Sequence, residues 1–110
     1  MNKVVLYSLA TDKIKTTIQA YFDGRGNLVI EGHDIGTVVE GIFGDSDYEY
    51  TTTIHCDDLE RLNVAFGLPI ASREEMLLFL KTHYIGNACY SQIQSDLTQH
   101  QIPFDKFSWM

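Results

Sequence analysis

The residues of this sequence that could do chemistry are concentrated in one acidic stretch, from Gly26 to Glu60. The whole chain carries a net charge of −7, whereas this stretch alone carries −9, because it contains no Lys or Arg. Carboxylates at this density attract cationic partners and repel nucleic acid and anionic membranes. The alternative is that they only solvate exposed turns and strand faces. The nine carboxylates are Glu31, Asp34, Glu40, Asp45, Asp47, Glu49, Asp57, Asp58 and Glu60.

Within this stretch, residues 42–50 combine negative charge with aromatic side chains. Aromatic residues anchor many protein interfaces, and charges at the rim raise the association rate more than the affinity. The alternative is that the tyrosines are buried as core and that Asp45 and Asp47 are only loop acids. Both can hold in part, with the tyrosines as scaffold and the carboxylates as contacts. We therefore predict a site that binds a protein partner, made of Phe43, Asp45, Asp47, Tyr48, Glu49, Tyr50, Asp57, Asp58 and Glu60.

The four histidines, His33, His55, His83 and His100, show no arrangement typical of a metal site. No two of them lie four residues apart, and none forms a Cys/His finger with Cys56 or Cys89. If His55 and Cys56 were neighbours in a strand, their side chains would point to opposite faces, which argues against a histidine base beside a thiolate nucleophile. We therefore expect no catalytic residue, no metal and no cofactor, and we expect both cysteines to be free thiols.

Nucleic acid and membranes are not expected partners. The eight basic residues are scattered singly along the chain, and no apolar run approaches the roughly 20 residues that cross a membrane. The segment Asp23–Asn27 lacks the ligand pattern of a calcium loop, since Arg25 stands where an acid is needed, and it predicts a hairpin turn instead. The apolar run at the N-terminus is too short for a secretory signal, so we expect a cytoplasmic protein.

The elements that position these residues change character along the chain. The first half alternates apolar and polar residues, which predicts strands at Val4–Leu9, 14–22, Leu28–Glu31 and Tyr48–His55, with a short helical turn within Gly36–Phe43. The second half has helical periodicity. Asp57 or Asp58 is expected to cap a helix that ends near Phe66.

A capping box at Ser72 and Glu75 predicts a second helix over Arg73–Tyr84, and a third is predicted from Cys89 to His100. The aromatic tail at Phe104, Phe107 and Trp109 is expected to form an edge strand. Strands followed by helices indicate an α+β fold: an antiparallel sheet of N-terminal strands with two or three C-terminal helices packed on one face. The length of 110 residues predicts a single domain, 1–110.

The stretch from Tyr21 to Thr53 resembles a group of small bacterial proteins, the immunity proteins of contact-dependent growth inhibition and other polymorphic toxin systems. The similar segments are Tyr-Phe-Asp-Gly-Arg-Gly-Asn-Leu-Val-Ile-Glu-Gly-His-Asp-Ile-Gly and Gly-Asp-Ser-Asp-Tyr-Glu-Tyr. The resemblance implies a cytoplasmic, non-catalytic and acidic antitoxin that binds a cognate toxin domain, frequently a basic nuclease, and blocks its active site or substrate-binding surface. It assigns no role to any single residue.

Three interpretations remain open. The first is an immunity protein whose acidic surface occupies the cationic groups that an RNase-type toxin offers to phosphate. The second is a small enzyme or ligand-binding domain with a pocket between sheet and helices that uses His33, Asp34 or His55. The third is a subunit whose acidic surface docks on a larger assembly. A neighbouring gene that encodes a long secreted effector would favour the first interpretation over the third.

Overall fold

A computed structural model describes residues 3–11, 14–36, 47–68 and 72–109. In these ranges the chain forms four strands, then three helices and then a fifth strand, which confirms the predicted α+β fold. The predicted helical turn within Gly36–Phe43 lies outside the described residues, except for Gly36. The elements are β1 (Lys3–Ala10), β2 (Ile14–Phe22), β3 (Leu28–Gly36), β4 (Asp47–Ile54), α1 (Leu59–Ala65), α2 (Arg73–His83), α3 (Cys89–Gln99) and β5 (Asp105–Trp109), with a 3-10 turn at Cys56–Asp58.

The strands form one antiparallel sheet in the order β1-β2-β3-β4-β5. Strand β5 pairs with β4 at one edge, so the prediction of a C-terminal edge strand is confirmed. Because side chains alternate between the two faces of a strand, this register sorts the sheet into two surfaces. One row that crosses all five strands on the same face consists of Val4, Ala20, Ile30, Thr52 and Lys106.

The three helices pack on the face of the sheet that carries this row, as predicted. Alternation on β1 to β4 directs apolar side chains to this face, and helical periodicity gives each helix an apolar stripe that meets them. The Cys89 thiol is buried in this core, whereas Cys56 is exposed, and both are free. The core contains Val4, Leu6, Ile18, Ala20, Leu28, Ile30 and Ile54 from the sheet and Leu62, Met76, Leu77, Leu80, Ile93 and Leu97 from the helices.

The opposite face of the sheet, which we call the open face, carries a polar set of side chains. Gln19 and Tyr21 of β2 lie beside Glu31 and His33 of β3, and Glu49 of β4 lies opposite His33. Among the described helices the longest have 11 residues, and none is long and apolar enough to cross a membrane.

The helix boundaries follow local capping. Helix α2 begins as predicted, because the Ser72 hydroxyl accepts a hydrogen bond of 3.1 Å from the Glu75 N–H. Asp58 is the N-cap residue of α1, one of the two that the sequence predicted. Strand β4 ends at Ile54, and His55 is the residue whose side chain accepts from the Asp57 N–H, at 3.1 Å. A 3-10 turn therefore precedes α1, and the Asp58 side chain makes no capping hydrogen bond in the described structure.

Candidate functional site

The predicted partner-binding residues lie near both ends of β4. Phe43 and Asp45 are outside the described residues, as is the side chain of Asp47, whose backbone begins β4 opposite Ile35. At the other end of the strand, the chain continues into the 3-10 turn and α1. The eight residues of β4 span roughly 25 Å, so the structure does not gather the described members of this set into one compact cluster. The described side chains are Tyr48, Glu49 and Tyr50 at one end and Asp57, Asp58 and Glu60 at the other.

Near the beginning of β4, the Glu49 carboxylate lies on the open face, as does the Glu31 carboxylate of β3. Glu49 Oε1 lies 3.5 Å from His33 Nε2. Glu31 accepts hydrogen bonds from the Gln19 amide, at 3.1 Å, and from the Tyr21 hydroxyl, at 3.0 Å. Burial and the Glu31 carboxylate raise the pKa of Tyr21 above its usual value. The two donors to Glu31 are uncharged, so this carboxylate contributes its full negative charge to the open face.

Beyond the end of β4, the three acids differ in how far they are neutralised. The Asp58 carboxylate is paired with Arg61, with 3.6 Å between Oδ1 and Nη1, and its side chain is 20% exposed. The Asp57 side chain is 85% exposed and its Oδ2 lies 3.4 Å from His55 Nδ1. Glu60 is exposed at the start of α1. Asp57 and Glu60 are therefore available to a partner, whereas Asp58 already has a cationic neighbour.

A cleft of about 620 Å³ lies between the helix-facing side of β3, β4 and β5 and the beginning of α3. It is the best candidate for a binding site in the described structure, because it is concave and brings polar groups from four elements together. The groups that define its chemistry are Asp34, Tyr48, Tyr50, Tyr90, Gln94 and Lys106.

A glycine positions the central ring of this cleft. Gly32 lies opposite Tyr50 in the β3–β4 register, and a Cβ atom added at Gly32 would lie 1.9 Å from a Tyr50 ring carbon. The ring therefore lies against the Gly32 backbone. Tyr90 meets it edge to face, with 4.7 Å between ring centroids, and Tyr48 lies 5.5 Å away. This packing agrees with the interpretation of the tyrosines as scaffold, and it also makes them the wall of the cleft.

A buried hydrogen-bond chain orients Tyr90. Thr52 is fully buried, accepts from the Gln94 amide at 2.8 Å and donates to the Tyr90 hydroxyl at 2.7 Å. A threonine hydroxyl has a single hydrogen, and Tyr90 is the partner that takes it. Burial raises the pKa of Tyr90, so this hydroxyl stays protonated at neutral pH.

The acidic group of the cleft is Asp34. The Tyr50 hydroxyl donates to its Oδ1 over a long distance of 3.5 Å. Burial, followed by the nearby Asp34 charge, raises the pKa of Tyr50 well above its usual value. A carboxylate beside tyrosine rings is suited to a guanidinium or ammonium group, which the carboxylate pairs with and the rings attract. Lys106 supplies a positive charge to the same cleft, so the lining has one group of each sign near tyrosine.

The structure separates the residues of the predicted ligand pocket. Asp34 lines the cleft, whereas His33, the next residue on β3, is on the open face. His55 lies beyond the end of β4. Sequence reasoning missed Tyr90 and Gln94, although their spacing of four residues places them together on one side of α3.

The expectation that His55 and Cys56 point to opposite faces is wrong. It assumed that β4 continues through Cys56, but the strand ends at Ile54 and Cys56 begins the 3-10 turn. In that turn the two side chains lie together, with Cys56 Sγ 3.8 Å from His55 Nδ1.

Comparison with known proteins identifies no relative of this chain. No protein family, no curated protein and no solved structure significantly matches the chain.

Proposed function

We propose that this chain is an immunity protein: a cytoplasmic, non-catalytic antitoxin that binds a cognate basic toxin domain, an RNase-type nuclease, and covers its active site or substrate-binding surface. The observation that carries this proposal is the run of nine carboxylates without Lys or Arg between Gly26 and Glu60. Within the described part of the chain, Asp58 is the one acid of this run that is paired with a Lys or Arg. The charge of the described acids in this run is therefore left largely for a partner.

The spacing of the exposed acids suits a protein surface as the partner. The two ends of β4 are roughly 25 Å apart, which is close to the width of a standard interface of about 800 Å² per partner. Glu49 at one end and Asp57 and Glu60 at the other would form charge-assisted hydrogen bonds with Lys and Arg side chains of the toxin. A nuclease carries such side chains where it holds phosphate, so the same contacts exclude its substrate.

The first test is a pull-down of the tagged protein with the product of the adjacent upstream gene, followed by a growth-rescue assay. Capture of that product together with rescue of cells that express it supports the proposal. If the product is neither captured nor neutralised, the immunity function is rejected, and the two other interpretations, a small enzyme or ligand-binding domain and a subunit that docks on a larger assembly, are preferred.

The second test measures association kinetics of the captured pair. We expect the association rate to fall roughly tenfold from low to high salt, because charges are screened beyond about 8 Å at physiological ionic strength. The double substitution Asp57→Asn and Glu60→Gln should slow association at low salt, whereas Glu75→Gln, an exposed acid outside the run, should not. A rate that does not depend on salt would remove the acidic surface from the mechanism.

The cleft supports a second candidate function, a domain that binds a small cationic ligand through Asp34. The observation in its favour is the carboxylate beside the rings of Tyr50 and Tyr90 in a cavity of about 620 Å³. Titration with methylguanidinium, followed by NMR of the tyrosine rings, should give saturable shifts in the wild type that Asp34→Asn abolishes. Shifts that sodium chloride reproduces at equal ionic strength would argue against this candidate.

A further inference from the structure

Outside the cleft, three consecutive side chains converge at the 3-10 turn that follows β4. His55 Nδ1, Cys56 Sγ and an Asp57 carboxylate oxygen all lie within 4.8 Å of one another. The separations are 3.8 Å from Sγ to Nδ1, 3.9 Å from Sγ to Oδ1 and 3.4 Å from Nδ1 to Oδ2. Tetrahedral Zn²⁺ with bonds of about 2.0–2.3 Å holds neighbouring ligand atoms roughly 3.3–3.6 Å apart, so small side-chain adjustments would bring these three atoms onto one ion.

The backbone of this turn is fixed from two sides. The Cys56 N–H donates to Asn27 Oδ1 at 2.9 Å, which ties the turn to the β2–β3 hairpin. The Asp58 N–H donates to the His55 carbonyl, also at 2.9 Å. The side chains themselves are accessible, since His55 is 60% and Asp57 85% exposed and Cys56 is at the surface. An ion can therefore reach ligands whose backbone is already positioned.

The arrangement differs from that of a catalytic cysteine with its base. In a nucleophilic relay, the thiol and the carboxylate contact different nitrogens of the histidine ring, so that the ring passes a proton between them. Here the Cys56 sulfur and the Asp57 carboxylate both approach Nδ1 of His55. Convergence of sulfur, nitrogen and oxygen on one point is the arrangement of ligands around a cation.

We propose that His55, Cys56 and Asp57 form a three-ligand site for a borderline-soft divalent ion such as Zn²⁺. A thiolate, an imidazole and a carboxylate are the ligand types that this ion takes, and an exposed turn leaves its fourth position to water or to a ligand from a partner. On binding, the thiol proton is released to solvent, and the ion replaces the hydrogen bond that Nδ1 accepts from the Asp57 N–H. The site does not depend on the immunity function.

Cobalt titration of the reduced full-length chain tests this proposal. We expect one equivalent of Co²⁺ to give a thiolate-to-cobalt charge-transfer absorption that Zn²⁺ then removes. Cys56→Ser should abolish this absorption. His55→Asn retains a capping acceptor for the turn but removes the imidazole, and it should weaken Co²⁺ binding by about tenfold or more, as should Asp57→Asn.

The matched control is His100→Gln, which removes an exposed histidine from the end of α3 and should leave the titration unchanged. Circular dichroism of each variant establishes that it is folded. The proposal is overturned if the wild type gives no charge-transfer absorption. It is also overturned if the absorption survives Cys56→Ser or if His55→Asn binds Co²⁺ as tightly as the wild type.

Discussion

Gly32 has no side chain, and this determines how Tyr50 packs in the cleft. The absence of this side chain lets the Tyr50 ring lie against the backbone of β3, where Tyr90 then packs on the ring edge to face. The sequence predicted β3 only as far as Glu31, and a glycine within a strand usually weakens it. The strand nevertheless continues to Gly36, and the ring of the neighbouring strand covers the glycine. The need for glycine at position 32 arises from a side chain on the neighbouring strand, so the sequence pattern of β3 alone does not reveal it.

Gly32→Ala tests this packing. Alanine normally suits a strand better than glycine, but here its Cβ would lie 1.9 Å from the Tyr50 ring, which is held in turn by Tyr90. We expect the substitution to lower the free energy of unfolding by about 1–3 kcal/mol, the usual cost of overpacking. Urea denaturation measures this change. Gly24→Ala is the control, since a Cβ there meets no atom within 4 Å, and an equal loss in both variants would refute the explanation.

Elements whose signals are local were predicted within a residue or two. Helix α2 was expected at Arg73–Tyr84 and runs from Arg73 to His83, because its cap and its apolar spacing lie within the same dozen residues. The start of α1 at Leu59 was predicted correctly, but the 3-10 turn before it was not. This turn depends on where β4 stops pairing with β5, which is a tertiary property, and it is what brings His55 beside Cys56.

Ser72→Ala measures how much the cap of α2 contributes. The Ser72 hydroxyl satisfies the Glu75 N–H at the exposed start of the helix, and its loss should cost about 1 kcal/mol of stability. Thermal or urea unfolding gives the value. Ser95→Ala is the matched control, because Ser95 is exposed inside α3, where alanine favours the helix. Equal destabilisation by both substitutions would show that the cap is not the cause.

At the scale of the whole molecule, the net charge was readable from composition, but the distribution of charge was not. Residues 26–60 are continuous in sequence, yet the pleat of β3 and β4 divides their side chains between two faces. Asp34 consequently enters the cleft, while Glu31 and Glu49 lie on the open face. The sequence therefore predicted the acidity of residues 26–60 and not how their charge is divided between the two faces of the sheet.

Tyrosines from several elements of the fold make the free energy of unfolding depend on pH in alkaline solution. Burial raises the pKa of Tyr50, Tyr84 and Tyr90 above the value near 10 of an unfolded chain, and for Tyr84 the hydrogen bond to Asp96 adds to this effect. Above about pH 10 the unfolded chain loses these protons more readily than the folded one. Stability is therefore complete below that pH and decreases as the pH rises towards the higher pKa values of the folded chain.

Urea unfolding measured between about pH 8 and pH 11 checks this expectation. Tyr84→Phe removes one of the titrating groups and should make the decrease with pH shallower by that group's share. A stability that stays constant up to pH 11 would contradict the raised pKa values of these tyrosines.

The position of β5 imposes an order of events on folding. Each of the first four strands pairs with its neighbour along the chain across a short connection, such as Ile35 with Asp47, whereas Thr53 of β4 pairs with Asp105, 52 positions later. A loop about four times longer adds only roughly 1.2 kcal/mol of closure entropy, so the interposed helices cost little stability. Long-range pairings form slowly, however, and until β5 arrives the edge of β4 is unpaired and open to other chains. Among the strand edges that become paired in the sheet, the edge of β4 is therefore the one that stays open to other chains longest.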